Sequence, residues 1–219
     1  TYATRIQATI LPPLRVVKKY LNDSFVLYLP KDIVAGDFYW METPGADDTL
    51  FFAVCDCTGH GVPGAMVSVV CHNALNRTVR EFFITQPAQI LDKVTELVVQ
   101  AFSLNNADND EIKDGMDASL CALNTTTGHL QWAGANNPLW VVKLNGELVE
   151  YKANKQSIGK SSHIVPFTNQ SIQLEKGDIL YLFTDGYADQ FGGELNKKFQ
   201  RKSLKELLSS IHSKSMEEQ

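Results

Sequence analysis

No apolar run in the chain approaches the roughly 20 residues of a membrane-spanning helix. The first residues carry no signal-peptide pattern. Charge of either sign is in short excess: 20 Lys and Arg stand against 25 Asp and Glu, for a net charge of -5. Without a Lys/Arg stripe to neutralise phosphates, the chain does not read as a dedicated nucleic-acid binder. Cysteine is scarce too. Cys55, Cys57, Cys71 and Cys121 form no C-x-x-C and have no partner at metal-ligand spacing. They read as reduced, buried thiols of a cytosolic protein. Internal repeats and linkers are also missing, which favours one domain. What remains is ordinary: 219 residues, 44% hydrophobic and 10% aromatic. That is enough apolar material for a full core, and it excludes a disordered chain.

Along the chain, Ile6, Thr9 and Ile10 sit at helical spacing until Pro12-Pro13 stops the pattern. The helix starts without an N-cap and reads as the end of an upstream signalling helix over residues 1–13. Phe25–Leu29 reads as a strand. Ala35–Met41 and Leu50–Asp56 read as a hairpin around Pro44–Asp48. Leu50–Cys55 is continuously apolar, as in a strand buried on both faces. Two helices follow, from Gly64 to Phe83 and from Pro87 to Phe102. The second has the cleaner amphipathic face, with Pro87 in its first turn. After a polar, acidic loop over 103–115 come strands at 116–123, 130–135, 139–144, 147–151, 171–174 and 179–183. Asn145-Gly146 is a strong hairpin signal between two of them. Ser203-Leu204-Lys205-Glu206 reads as a capping box opening the last helix. Strands and helices are segregated, without βαβ alternation, so the fold class is α+β with antiparallel sheets.

The chemistry concentrates in aspartates at strand ends beside glycines: Gly36-Asp37, Asp56-Cys57-Thr58-Gly59-His60-Gly61 and Thr184-Asp185-Gly186. A strand end holds a carboxylate rigidly, and a neighbouring glycine lets backbone or ligand approach. A single Asp-Gly is usually a turn. Three converging carboxylates would repel one another unless a cation neutralised them. Hard oxygen ligands without His or thiolate favour Mg²⁺ or Mn²⁺. By spacing alone this is a suspected divalent-metal site.

The segments Ala35-Gly36-Asp37-Phe38-Tyr39, Asp56 through Ala65, and Phe183-Thr184-Asp185-Gly186 resemble the signature blocks of PP2C-type (PPM) serine/threonine phosphatases. More narrowly, they resemble the bacterial SpoIIE/RsbU branch. The lead-in Arg5-Ile6-Gln7 to Leu11-Pro12 and the segment Trp132–Pro138 fit that branch as well. The ordered set spans nearly the whole chain.

The resemblance implies a four-layer αββα sandwich, with two antiparallel sheets face to face, helices outside both, and the site at one edge. It implies two Mn²⁺ or Mg²⁺ ions sharing a water that attacks phosphoserine or phosphothreonine. Asp56 would bridge the ions, Asp37 and Asp185 would each bind one, and Cys57 would contribute its backbone carbonyl. Gly186, beside Asp185, belongs to the same metal-binding set. Asp117 or Asp114, in Asp114-Gly115-Met116-Asp117, resembles the ligand of a third, weaker ion; the alternative is a solvated acidic loop. His60 reads either as general acid for the leaving alkoxide or as a residue that holds the turn. Eukaryotic relatives grip phosphate with an arginine near the first Asp. Lys31 and Asp32 occupy that neighbourhood here, so phosphate binding would rest on the metals alone.

The family pattern ends in an Asp-Asp pair opening a final strand. Residues 14–219 stop before such a pair, and Glu217 and Glu218 lie in a polar tail. The expected substrate is a small phosphorylated regulator of the anti-sigma-antagonist kind. An upstream sensor domain and a homodimer through the N-terminal helix are expected, with the two helices after Asp56 as the switch. The expected location is a cytoplasmic domain, of a parent that a membrane anchor elsewhere would still fit. A catalytically silent partner-binding module is the alternative; a metal-dependent phosphodiesterase or nuclease is disfavoured by the missing basic track.

Overall fold

The structure is a computed structural model, described over residues 2–43, 48–103, 114–161, 164–193 and 196–219. Two short helices open it, α1 (Tyr2–Gln7) and α2 (Leu14–Tyr20), either side of the Pro12-Pro13 break. Strands β1 (Phe38–Glu42) and β2 (Thr49–Cys57) form the expected antiparallel hairpin, with Phe38 opposite Cys55. Helices α3 (Gly61–Arg80) and α4 (Pro87–Ser103) follow. Next come β3 (Gly115–Asn124), β4 (His129–Ala135), β5 (Leu139–Val142), β6 (Leu148–Tyr151), β7 (Ile158–Gly159), β8 (Gln170–Gln173) and β9 (Ile179–Tyr181). A small ribbon, β10 (Phe191–Gly192) with β11 (Lys197–Lys198), precedes α5 (Gln200–Ile211). The hairpin turn at 44–47 and the acidic segment 104–113 lie outside the described residues.

One sheet runs β1-β2-β3-β4-β8, with β7 also paired to β3; the second runs β6-β5-β9. Every ladder between these strands is antiparallel. The core divides into the interfaces that four layers require. Phe38, Trp40, Phe51, Ala53 and Cys55 of the first sheet pack on Val67, Cys71 and Leu75 of α3 and on Ile90, Leu91 and Val94 of α4. Cys121, Leu130, Trp132, Leu139, Val141 and Ile172 fill the space between the sheets, joined by Phe52. Trp140, Val142 and Tyr181 of the second sheet meet Leu204 and Leu208 of α5. This is the αββα order that the resemblance implied. In β2, alternate residues serve different layers: Phe51 and Ala53 face the helices and Phe52 faces the other sheet. That is why the strand reads as continuously apolar.

Each tryptophan is buried and keeps its indole N–H bonded. Trp40 donates to Asn76 Oδ1 at 2.8 Å, Trp132 to Ser119 Oγ at 2.8 Å and Trp140 to Glu150 Oε2 at 2.9 Å. Large apolar rings can therefore be buried without an orphaned donor.

Three local expectations are corrected. Phe25–Leu29 forms no strand ladder among the described residues. Its alternation points Phe25, Leu27 and Leu29 to solvent, leaving no second face to bury. The helix expected to reach Phe83 ends at Arg80: Phe83 takes φ 54°, and Ile84 N–H returns to Thr78 O at 3.3 Å, so Ile84 packs on the core. The last helix begins at Gln200, before Ser203, so the capping box is unused. Its start is held instead by backbone bonds from Phe199 N–H to Gln190 O and Gln200 N–H to Ala188 O. Among the described residues, no helix is long and apolar enough to cross a membrane.

Candidate active site

The strand register delivers the aspartates to one edge. Asp37 immediately precedes β1, and the Phe38–Cys55 pairing sets it beside Asp56 near the end of β2. Asp56 and Asp117 are Cα partners across β2 and β3. Asp185 arrives from the turn after β9, where Thr184 Oγ1 donates to Asp37 Oδ2 at 2.7 Å. Gly186 lies against the same carboxylate: a Cβ built on it would be 3.8 Å from Asp37 Oδ2.

The carboxylates are crowded enough to disturb one another. Asp56 is pushed up to about 8, first by burial, then by the charges of Asp37 and Asp185, a hydrogen bond with the Asp37 carboxyl, and Asp117. Burial also pushes Asp185 up, with Asp189 and Asp37 adding to it while Lys198 and Arg201 oppose it. Tyr28, whose hydroxyl donates to Asp37 O at 3.1 Å, is pushed up to about 12 by burial and by the Asp37 charge.

Glycines make the close approach possible. A Cβ on Gly36 would lie 2.6 Å from Gly59 O and 2.9 Å from Cys57 O, and one on Gly64 would collide with Gly59 O. Gly59 and Gly61 take φ of +87° and +62°, which lets the chain leave β2 and enter α3 within a few residues. The Cys57 side chain is buried in the core near Cys71, while its carbonyl sits at this glycine junction.

The other predicted residues are placed less centrally. His60 precedes α3 with its side chain 80% exposed, and Nδ1 lies 3.1 Å from Asp32 Oδ2. Asp117 Oδ1 accepts from Asn136 Nδ2 at 2.9 Å and Ser157 Oγ at 2.6 Å. Asp114 directly precedes β3.

Some neighbours of the site were not legible. Tyr28 and Ser157 sit in segments with no motif, and only Thr184, adjacent to Asp185, carried a positional hint. The cations Lys198 and Arg201 act on Asp185 and lie far in sequence from Lys31 and Asp32. Lys198 also pairs with Asp189 at 2.6 Å.

Among the described residues, no three of His, Cys, Asp and Glu stand as a ready-made metal cage. The donor set nevertheless fits a hard divalent cation. It is all oxygen, acidic and half-buried, and the carboxylates of Asp37, Asp56 and Asp185 crowd one another with a repulsion that a cation would relieve.

A helix-flanked sandwich with aspartates gathered at its edge is the frame of a metal-dependent phosphatase of the PP2C type. The Stage II sporulation protein E (SpoIIE) family matches residues 46–219, and the chain belongs to that family. It is a metal-dependent protein serine/threonine phosphatase domain that acts on regulatory proteins. The structure is similar to the SiaA-PP2C domain of Pseudomonas aeruginosa, with a TM-score of 0.86 and 29% identity over 99% of this chain and 82% of that one. It shares its fold with the RsbU and RsbW domains of Rv1364c from Mycobacterium tuberculosis (TM-score 0.64, 21% identity, 84% of this chain and 47% of that one). The fold is also that of the SpoIIE phosphatase domain with a regulatory fragment from Bacillus subtilis (TM-score 0.55, 16% identity, 84% and 55%). No match is found among curated proteins.

Proposed function

We propose that Asp37, Asp56 and Asp185 hold two Mn²⁺ or Mg²⁺ ions for hydrolysis of phosphoserine or phosphothreonine on a small regulatory protein of the anti-sigma-antagonist kind. When bound, such ions supply a water acidic enough to attack phosphorus at neutral pH and neutralise the phosphoryl oxygens. Asp56 is acted on by both Asp37 and Asp185, so its carboxylate would be the one shared between the ions. Cys57 offers its carbonyl from the glycine junction, and Gly186 keeps the space beside Asp37 clear of a side chain. Thr184 orients Asp37 by its 2.7 Å hydrogen bond. Asp117 or Asp114, three positions apart, would serve a weaker third ion. His60, exposed and tied to Asp32, holds the turn into α3 rather than moving a proton. Lys198 and Arg201 lend the phosphate positive potential from the Asp185 side.

The observation that carries this reading is the gathering of Asp37, Asp56, Asp117 and Asp185 at one sheet edge, where burial and the three neighbouring carboxylates push Asp56 up to about 8. Such a cluster is held together at a cost that a divalent cation removes. Two named relatives are consistent with it: an RsbX structure determined with magnesium, and a polypeptide carrying RsbU and RsbW domains together. A sensor upstream of α1, a homodimer through that segment, and α3 and α4 as a switch acting on Asp56 complete the proposal.

The test is p-nitrophenyl phosphate hydrolysis with Mn²⁺, Mg²⁺ or EDTA, on the wild type and Asp56→Ala. Mn²⁺-dependent turnover that falls at least ~100-fold in the variant is expected when the ions generate the nucleophile. Turnover indifferent to EDTA would overturn the reading.

A further inference from the structure

Gln7 is the buried residue of the short N-terminal helix, only 6% exposed. Its primary amide makes two hydrogen bonds to one residue 28 positions away. Nε2 donates to Ala35 O at 2.5 Å, and Oε1 accepts Ala35 N–H at 3.0 Å. The side chain thus occupies the place that a neighbouring strand's peptide would take, and it satisfies both backbone groups of Ala35. Two flanking contacts follow the same line: Thr4 Oγ1 to Ile33 O at 3.3 Å, and Tyr39 hydroxyl to Pro12 O at 3.1 Å. The N-terminal segment is therefore laced onto residues 33–39, the stretch that delivers Asp37.

Ala35 is followed by Gly36, which is pressed against the carbonyls of Cys57 and Gly59 with no room for a Cβ. The backbone before Asp37 is clamped between Gln7 on one side and the glycine junction on the other. Asp37 itself is then fixed at its carbonyl by Tyr28 and at its carboxylate by Thr184. Gln7 comes from the segment before Pro12-Pro13, and Thr4 of the same segment adds its longer bond to Ile33 O.

We infer that Gln7 is a positioning residue for the metal site: its amide clamp on Ala35 sets where Asp37 stands, so the attachment of α1 tunes metal affinity. The inference rests on the proposed role of Asp37 as a ligand. Residues one step removed from a ligand commonly change metal affinity by about 10- to 100-fold when altered, because the ligand is still present but no longer held in place.

The experiment titrates Mn²⁺ into wild type, Gln7→Ala, Gln7→Glu, Thr9→Ala and Asp37→Asn. It reads binding by calorimetry, p-nitrophenyl phosphate turnover across Mn²⁺ concentration, and melting temperature in EDTA. Gln7→Ala is expected to weaken Mn²⁺ binding and raise the half-saturating concentration by about 10-fold or more. Turnover at saturating Mn²⁺ should return to near the wild-type value. Gln7→Glu sets a carboxylate oxygen against Ala35 O at a buried position, so it should weaken Mn²⁺ binding at least as much as Gln7→Ala. Thr9→Ala, which removes only a local bond to Ile6 O, should match the wild type. Unchanged Mn²⁺ affinity in both Gln7 variants would overturn the inference, whether or not their melting temperatures fall in EDTA. If Asp37→Asn also binds Mn²⁺ as the wild type does, the assignment of Asp37 fails first and the inference falls with it.

Discussion

Asp56 and Asp117 stand directly opposite each other on neighbouring antiparallel strands. Like charges in that position weaken a sheet. The structure answers the two differently. Asp117 Oδ1 accepts from two neutral donors, Asn136 and Ser157. Asp56 is pushed up to about 8 by burial and by the charges of Asp37 and Asp185. One aspartate is thus already satisfied by protein groups, while the other remains crowded by its own kind. A cation gains more by joining Asp56 than by displacing the donors on Asp117.

This asymmetry separates two variants. Mn²⁺ at about 100 times its dissociation constant should stabilise the wild type by roughly 2.7 kcal/mol. Asp56→Ala should lose that Mn²⁺-induced rise in melting temperature. Its stability in EDTA should not fall, since a crowded buried carboxylate has been removed. Asp117→Ala should keep the rise and lose turnover only at low Mn²⁺. Differential scanning fluorimetry with and without Mn²⁺ reads both. Loss of the rise in Asp117→Ala would place Asp117 among the tight ligands.

The glycine junction gives a steric prediction. Gly36→Ala puts a Cβ within 2.6 Å of a backbone carbonyl, an atom that cannot rotate away. Overpacking of this kind costs about 1–3 kcal/mol. Because the carbonyls belong to Gly59 and Cys57, the displaced backbone is the site itself. Denaturant unfolding should show the loss in stability, and turnover at saturating Mn²⁺ should fall more than in any Gln7 variant. Full activity in Gly36→Ala would show that the junction need not be tight.

Much of this was legible because local pattern and tertiary role coincided. Leu50–Cys55 lacks polar alternation since both its faces are covered, and the glycines beside Asp37 and Asp56 mark close backbone approach. Where partners lie far apart in sequence, the reading failed. Nothing near Phe25–Leu29 announces that no strand will pair with it. The two-residue strand β7 exists because Gly115 and Met116 of β3 accept it, with Gly159 opposite Gly115. Ser203 has the spacing of a cap, yet backbone bonds to Ala188 and Gln190 start the helix a turn earlier. The Asp56–Asp117 pairing likewise depends on a register that no single segment carries.

His60 and Asp32 form an exposed pair at the entrance to α3. A proton donor matters for a serine leaving group and hardly at all for p-nitrophenolate, which leaves readily as an anion. If His60 only holds the turn, His60→Ala should lower turnover of a phosphoserine protein and of p-nitrophenyl phosphate by the same small factor, and Asp32→Ala should do likewise. A loss confined to the phosphoserine substrate would make His60 the general acid.

Glu150 offers a pH-dependent prediction away from the site. Its carboxylate accepts from the Trp140 indole and pairs with Lys205 of α5, which also lies 5.2 Å above the Trp140 ring. Burial raises the carboxyl, but the Lys205 and Trp140 hydrogen bonds outweigh it, and the group ends below the usual 4.5. A carboxyl depressed in the folded state contributes stability above its unfolded value and loses it as pH falls through the folded one. The pair is partly open to solvent, so Glu150→Gln should cost no more than about 1 kcal/mol at pH 7. Below the depressed folded-state value the two proteins should converge, because the wild-type side chain is then neutral in both states. Urea midpoints for both proteins between pH 7 and pH 3 test this. A gap that stays constant across that range would mean that shape, not charge, fastens α5 to the second sheet.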